Sequence, residues 1–152
     1  MEHAHHRNAD ADWRTAVSAT LHCLTGCAIG EILGMVIATA LGLGNAASIV
    51  LAIVLAFFFG YALTIVSLIR VVNLGRASRL AFASDTASIA TMEVVDNLFI
   101  IAVPGALAAG LTDGLFWWSL VVSLAVAFVV TVPINRWLIA RGKGHAVVHD
   151  LH

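Results

Sequence analysis

Apolar residues run in four long stretches, broken by short polar or glycine-bearing connections. The stretches cover about Thr15 to Leu43, Ala46 to Val72, Ala77 to Val103 and Gly114 to Ile139. Each exceeds the roughly 20 residues that a helix needs to cross a bilayer core. The breaks suit tight turns: GLGN at 42–45, and Pro104-Gly105 leading into GALAAGLTDG at 105–114. The pattern predicts an all-α fold, an integral membrane bundle of four transmembrane helices over residues 15–140. The flanking segments, residues 1–14 and 141–152, are polar and predict flexible cytoplasmic tails carrying His3, His5, His6, His145, His149 and His152. The bland expectation for these histidines is solvation; the sharper one is a metal-collecting fringe. No cleavable signal peptide is expected, since the first apolar run is too long for one.

The positive charges fix an orientation. Arg7, Arg14, Arg70, Arg76, Arg79, Arg136, Arg141 and Lys143 all fall on the N-terminal segment, the second connection or the C-terminal segment. The first and third connections have none. The positive-inside rule then puts both termini in the cytoplasm. Trp13 and Trp137 mark the inner interface, and Trp117 and Trp118 the outer one. Composition agrees with lipid as the solvent: 61% of the 152 residues are apolar and 11% charged, against about 25% charged in a typical soluble domain. The net charge of −1 implies no nucleic-acid partner.

The polar positions inside the stretches carry the candidate chemistry. The first stretch holds His22, Cys23, Cys27 and Glu31. Cys23, Cys27 and Glu31 recur every four residues, so on a helix they rise along one face. The third holds Asp85, Met92, Glu93, Asp96 and Asn97. On a helical wheel Asp85, Met92 and Asp96 fall within about 40° of one another, with Glu93 about 80° from Asp85. The second and fourth stretches read as almost purely apolar, and the one-two and three-four pairs suggest a parallel 2+2 helix repeat.

Each intramembrane acid costs about 2.5–3.5 kcal/mol at a helix centre, so four cost on the order of ten. They are expected to face a bundle interior, protonated, hydrogen-bonded or neutralised by a bound cation. His22 to Glu31 rises about 13 Å and Asp85 to Asp96 about 16 Å, at matching depths. If the stripes face each other they form a ladder of weak sites, as a permeating ion requires. Gly26, Gly30 and Gly34 form a small-xxx-small ribbon beside the first stripe, which admits a close partner backbone. The expected partner is the third helix or a second copy, and a homo-oligomer through this ribbon would help shield the acids from lipid. The two cysteines share one helix and do not read as a disulfide framework.

The runs HCLTGCAIGE (22–31), MEVVDN (92–97) and NRWLIARGKGHAVVH (135–149) resemble a bacterial membrane family catalogued as domain of unknown function 4396. The resemblance extends over nearly all of the chain from Leu21 onward. It implies a small helical module of the bacterial inner (cytoplasmic) membrane and brings no activity, substrate or catalytic assignment with it.

The functional expectation from ligand chemistry is a metal-cation channel, transporter or metal-binding protein. Its ligands would be His22, Cys23, Cys27, Glu31, Asp85, Met92, Glu93, Asp96 and Asn97. Soft sulfur ligands favour copper or zinc as the transition metal, and the carboxylates zinc, manganese or iron. One alternative is a thiol redox or haem-type protein built on the cysteine pair and His22. Another is a proton-conducting carrier using the four acids. No Ser–His–Asp pattern, HExxH or phosphate loop points to a catalytic hydrolase.

Overall fold

The computed structural model describes residues 2–70 and 72–141, with side chains placed from residue 13 onward. Among the described residues there are four helices: α1 (Glu2–Leu41), α2 (Asn45–Leu68), α3 (Leu74–Ala102) and α4 (Gly114–Ala140). A 3-10 turn at Ala106–Ala108 lies between α3 and α4. Among the described residues there is no strand. Helical backbone in α1 begins at Glu2, upstream of the predicted span. The side chains of the N-terminal histidines lie outside the described residues, as does the C-terminal segment with His145, His149 and His152. Among the described residues, three helical segments are long and apolar enough to cross a membrane: Trp13–Leu41, Asn45–Leu68 and Gly114–Ala140. The third predicted span, α3, does not meet that measure by composition. It carries Arg76, Arg79, Asp85, Glu93 and Asp96.

Local chemistry explains the boundaries. Gly42 ends α1 at a φ of +63°, a left-handed conformation that side chains resist. The second predicted stretch ran to Val72, but α2 stops at Leu68. The reason is Asn73, whose side chain accepts the Arg76 backbone N–H at 2.9 Å and caps the start of α3. At the far end of α3, Gly105 takes a φ of +83°. The Asp113 carboxylate then accepts the Gly110 N–H at 2.7 Å, which pins the connection into α4.

The chain runs as two antiparallel hairpins, α1–α2 and α3–α4, packed side by side, with α1 touching all three other helices. The glycine ribbon does not face the third helix or a second copy as expected: its partner is α2. A Cβ placed on Gly26 would lie 2.6 Å from the Gly60 Cα, and one on Gly34 would lie 2.7 Å from the Ala52 Cα. One on Gly30 would overlap the backbone N and Cα of Ala56. Small residues at the same spacing on α2 therefore let the two backbones meet.

The sidedness of the bundle is inverted relative to a water-soluble protein. The exposed faces are apolar, including that of α3, where Phe82, Val94, Leu98 and Ile101 are each more than half exposed. The interior holds Glu31, Asp85, Glu93 and Asp96, none more than 9% exposed, together with buried Ser, Thr and Asn side chains. Such an arrangement suits lipid outside and polar groups satisfied within.

A buried acidic cavity and the polar column beneath it

The α1 and α3 stripes do face each other, with α4 completing the interior. Cys23 lies beside Asp85 and Ser88, Cys27 beside Met92 and Glu93, and Glu31 beside Asp96 and Glu93. The nine predicted ligands divide by depth into three levels.

At the level furthest from the arginine-bearing helix ends is a cavity of about 270 Å³. Glu31, Glu93, Asp96 and Asn97 line one part of it, and Ser119 of α4 joins them. Its other walls are apolar: Met35 and Ala38 of α1, Ile100 of α3, Phe116 and Leu120 of α4. The mouth is formed by Gly42, Leu43, Asn45 and Ser48 on one side and by the 106–110 connection on the other. Both carboxylate oxygens of Glu31, both of Glu93 and Oδ1 of Asp96 are buried and meet no N–H donor, with one another and the Cys27 thiol as neighbours. Neither Lys nor Arg lines the cavity. Asn97 is held in place by donating its Nδ2–H to the Glu93 backbone carbonyl at 2.8 Å.

The middle level is sulfur and hydrocarbon. Cys23, Cys27, Ile89 and Met92 are each at most 1% exposed and pack with Ala56 and Ala127. The Cys27 thiol donates to Met92 Sδ at 4.0 Å. Both cysteines are free thiols. The innermost level is polar again. Ser84 donates to Asp85 Oδ1 at 2.6 Å, and Asp85 also neighbours Thr64 of α2 and His22 of α1. Beside it, Asn135 of α4 donates to Thr20 Oγ1 at 2.8 Å and accepts the Ser88 hydroxyl. That one side chain ties α1, α3 and α4 together.

Among the described residues, no three His, Cys, Asp or Glu side chains converge closely enough to hold a metal ion. The predicted set is therefore brought onto one axis but not onto one point. A family described as a domain of unknown function (DUF4396) matches residues 12–144. The chain belongs to that family. The match spans all four helices from the entry of α1 into the bundle to past the end of α4, so the cavity and the column beneath it lie within the family's own domain. No curated protein and no solved structure matches the chain.

What the sequence reading missed is the contribution of α4. Ser119, Ser123, Thr131 and Asn135 are all buried, and Ser123 neighbours Asp96. They recur at multiples of four residues, with Ala127 filling the gap, so they form one inward stripe. That spacing was the available signal. In a helix whose remaining positions are mostly Val, Leu, Ala, Ile, Phe and Trp, it was masked by overall hydropathy. Thr64 of α2 was missed for the same reason.

Proposed function

We propose that this DUF4396 protein is a multi-pass membrane protein that binds and transports a cation, with Glu31, Glu93 and Asp96 as its binding station. The carrying observation is that the buried carboxyl groups of Glu31, Glu93 and Asp96 adjoin one another and line one cavity that has no basic residue in its wall. A buried acid needs a proton, a donor or a counter-ion. An anionic ligand has nothing there to meet it.

In this proposal α3 is the fourth span. Its acids turn inward and its exposed face is apolar, so its composition does not oppose a membrane position. Arg136 stacks on Trp13 at 4.2 Å and Arg141 on Trp137 at 4.0 Å. These pairs suit an interface at the cytoplasmic side of the bacterial inner membrane, with both termini inside. The cavity then opens outward, and the two hairpins form the 2+2 arrangement. The sulfur layer separates the outer station from an inner one at His22 and Asp85, and a cation would pass these levels in turn. Assembly into a homo-oligomer, which we keep in the proposal, uses a face other than the glycine ribbon.

A second version takes copper or zinc as cargo. It is favoured by the Cys27–Met92 contact, where two sulfur donors already meet. The same free thiols are all that a redox role would rest on, and a thiol titration unchanged by oxidant removes it. Purified protein in liposomes, assayed for cation flux and for proton current, tests the whole reading. Glu31→Gln is expected to abolish a cation-dependent flux. A proton current indifferent to every added cation would replace this reading with the proton relay. No flux of either kind, with no bound cation, would overturn it.

A further inference from the structure

We infer that the cation taken by the acidic cavity is a primary alkylammonium ion, with its ammonium group on Glu31, Glu93 and Asp96 and its hydrocarbon body along the apolar walls. This deepens the reading of the same site given above and rests on it. Four observations carry it.

First, Glu31 adjoins Glu93 and Asp96, but the three do not close on one point. No three potential metal ligands converge among the described residues, whereas metal–oxygen bonds require donors within about 2.0–2.6 Å of one point. An ammonium group is less demanding, because its N–H bonds reach acceptors at about 2.7–2.9 Å in several directions. Second, the oxygens want donors. Those of Glu31 and Glu93, with Asp96 Oδ1, have one another and the Cys27 thiol as neighbours and meet no N–H donor. A primary ammonium supplies three N–H groups. A quaternary ammonium supplies none, so the geometry selects between two cations of similar size.

Third, the cavity is too large and too apolar for a bare ion. Its volume is about 270 Å³, while one water occupies about 30 Å³ of liquid. A hydrated metal ion would press its water shell against Met35, Ile100, Phe116 and Leu120, which offer it no hydrogen bonds. A hydrocarbon chain placed there removes apolar surface from water. Fourth, the two characters are segregated along one axis. The acids lie at the deep part, and the apolar walls lead from them toward the mouth. From Glu31 to Gly42 the rise along α1 is about 16 Å, so an extended ligand enters head first.

The test uses full-length protein in detergent, with hexylammonium as the probe. Tetraethylammonium, hexanol and Zn²⁺ serve as comparisons, read by thermal shift and by competition titration. Hexylammonium is expected to stabilise the protein saturably and to bind at least tenfold more tightly than tetraethylammonium or hexanol. Glu93→Gln, shown to be folded by its own melting transition, is expected to lose at least tenfold in affinity for hexylammonium. Met35→Trp fills an apolar wall and leaves all three acids in the sequence. It is expected to weaken hexylammonium while leaving methylammonium unchanged, so the proposal stays testable if the Gln variant fails to fold. Equal binding of hexanol would overturn the proposal by making the cavity an apolar or lipid site. Glu93-dependent Zn²⁺ binding without amine binding would overturn it while leaving the cation reading intact. Binding of neither amine nor metal would remove both.

Discussion

Replacing Gly30 by alanine sets two effects of opposite sign against each other, and the structure decides between them. In an exposed helix the change stabilises, because alanine exceeds glycine by about 1 kcal/mol in helix propensity. At Gly30 the new methyl would overlap the backbone of Ala56, and backbone cannot rotate away. Its neighbours in the ribbon are also closed: Gly26 and Gly34 meet α2 backbone at 2.6 and 2.7 Å from their virtual Cβ positions. Restoring ordinary carbon contact at about 3.5–4.0 Å means moving the helices apart by about 1 Å. A gap of that size forfeits a quarter to a half of each contact's attraction, at about 0.1–0.2 kcal/mol per atom pair. Over some 40 pairs along the seam, this is about 2 kcal/mol. Overpacking in cores typically costs about 1–3 kcal/mol, so the loss exceeds the propensity gain. Gly30→Ala is therefore expected to be destabilising by about 1–2 kcal/mol net. The control is Gly75→Ala in the first turn of α3, where the added methyl meets only Asn73 Oδ1 at 3.8 Å. It should be neutral or stabilising by up to about 1 kcal/mol. Equilibrium unfolding in mixed micelles, followed by circular dichroism, measures both. Because Glu31 adjoins Gly30, the variant should also lose ligand affinity at the acidic cavity. Gly30→Ala as stable as Gly75→Ala would show that α2 is not seated on the ribbon, and the reasoning would fail.

Two further outcomes follow from the same geometry. Asn135→Ala removes the bonds to Thr20 and Ser88 together. It should cost about 1–2 kcal/mol, since interhelical bonds in membranes average about 0.6 kcal/mol each and orphaned partners add to the loss. A double-mutant cycle with Thr20→Ala isolates the pair, and a coupling of zero would dissolve the three-helix tie. For topology, a reporter active only in the cytoplasm, fused after His152, should be active, while one inserted after Thr112 should not. The reverse pattern would turn the cavity mouth inward.

Much of the fold was legible because in lipid the backbone must satisfy itself, which leaves a hydropathic run few options besides a helix. The end of α1, the end of α3 and the start of α4 were accessible through glycine and proline. The end of α2 was not, because the residues around the break, Leu68, Ile69, Val71 and Val72, are apolar apart from Arg70. What ended the helix was the capping by Asn73, a polar contact that hydropathy cannot weigh. The facing of α1 and α3 was legible for a similar reason. Cys23, Cys27, Glu31, Asp85, Met92 and Asp96 are each exceptional in an apolar helix, so their spacing alone defined a face. Ser119, Ser123, Thr131 and Asn135 define a face just as regularly, but serine and threonine are ordinary in such helices, and regularity without rarity gives little signal.

The chemistry of the site was harder to read than its membership. A list of ligand types on two helices treats every donor as free to reach one ion. Packing removes that freedom. Ile89 and Ala56 pack around Cys23, Cys27 and Met92, and that layer sits between Asp85 on one side and Glu31, Glu93 and Asp96 on the other. The volume that remains open is also bounded by Ile100, Phe116 and Leu120, residues whose types carry no ligand chemistry. These apolar walls shift the reading from an ion held by many ligands to a cation with a body. They do so because a cavity's occupant must be complementary to all of its surface, while a sequence motif advertises only the polar part.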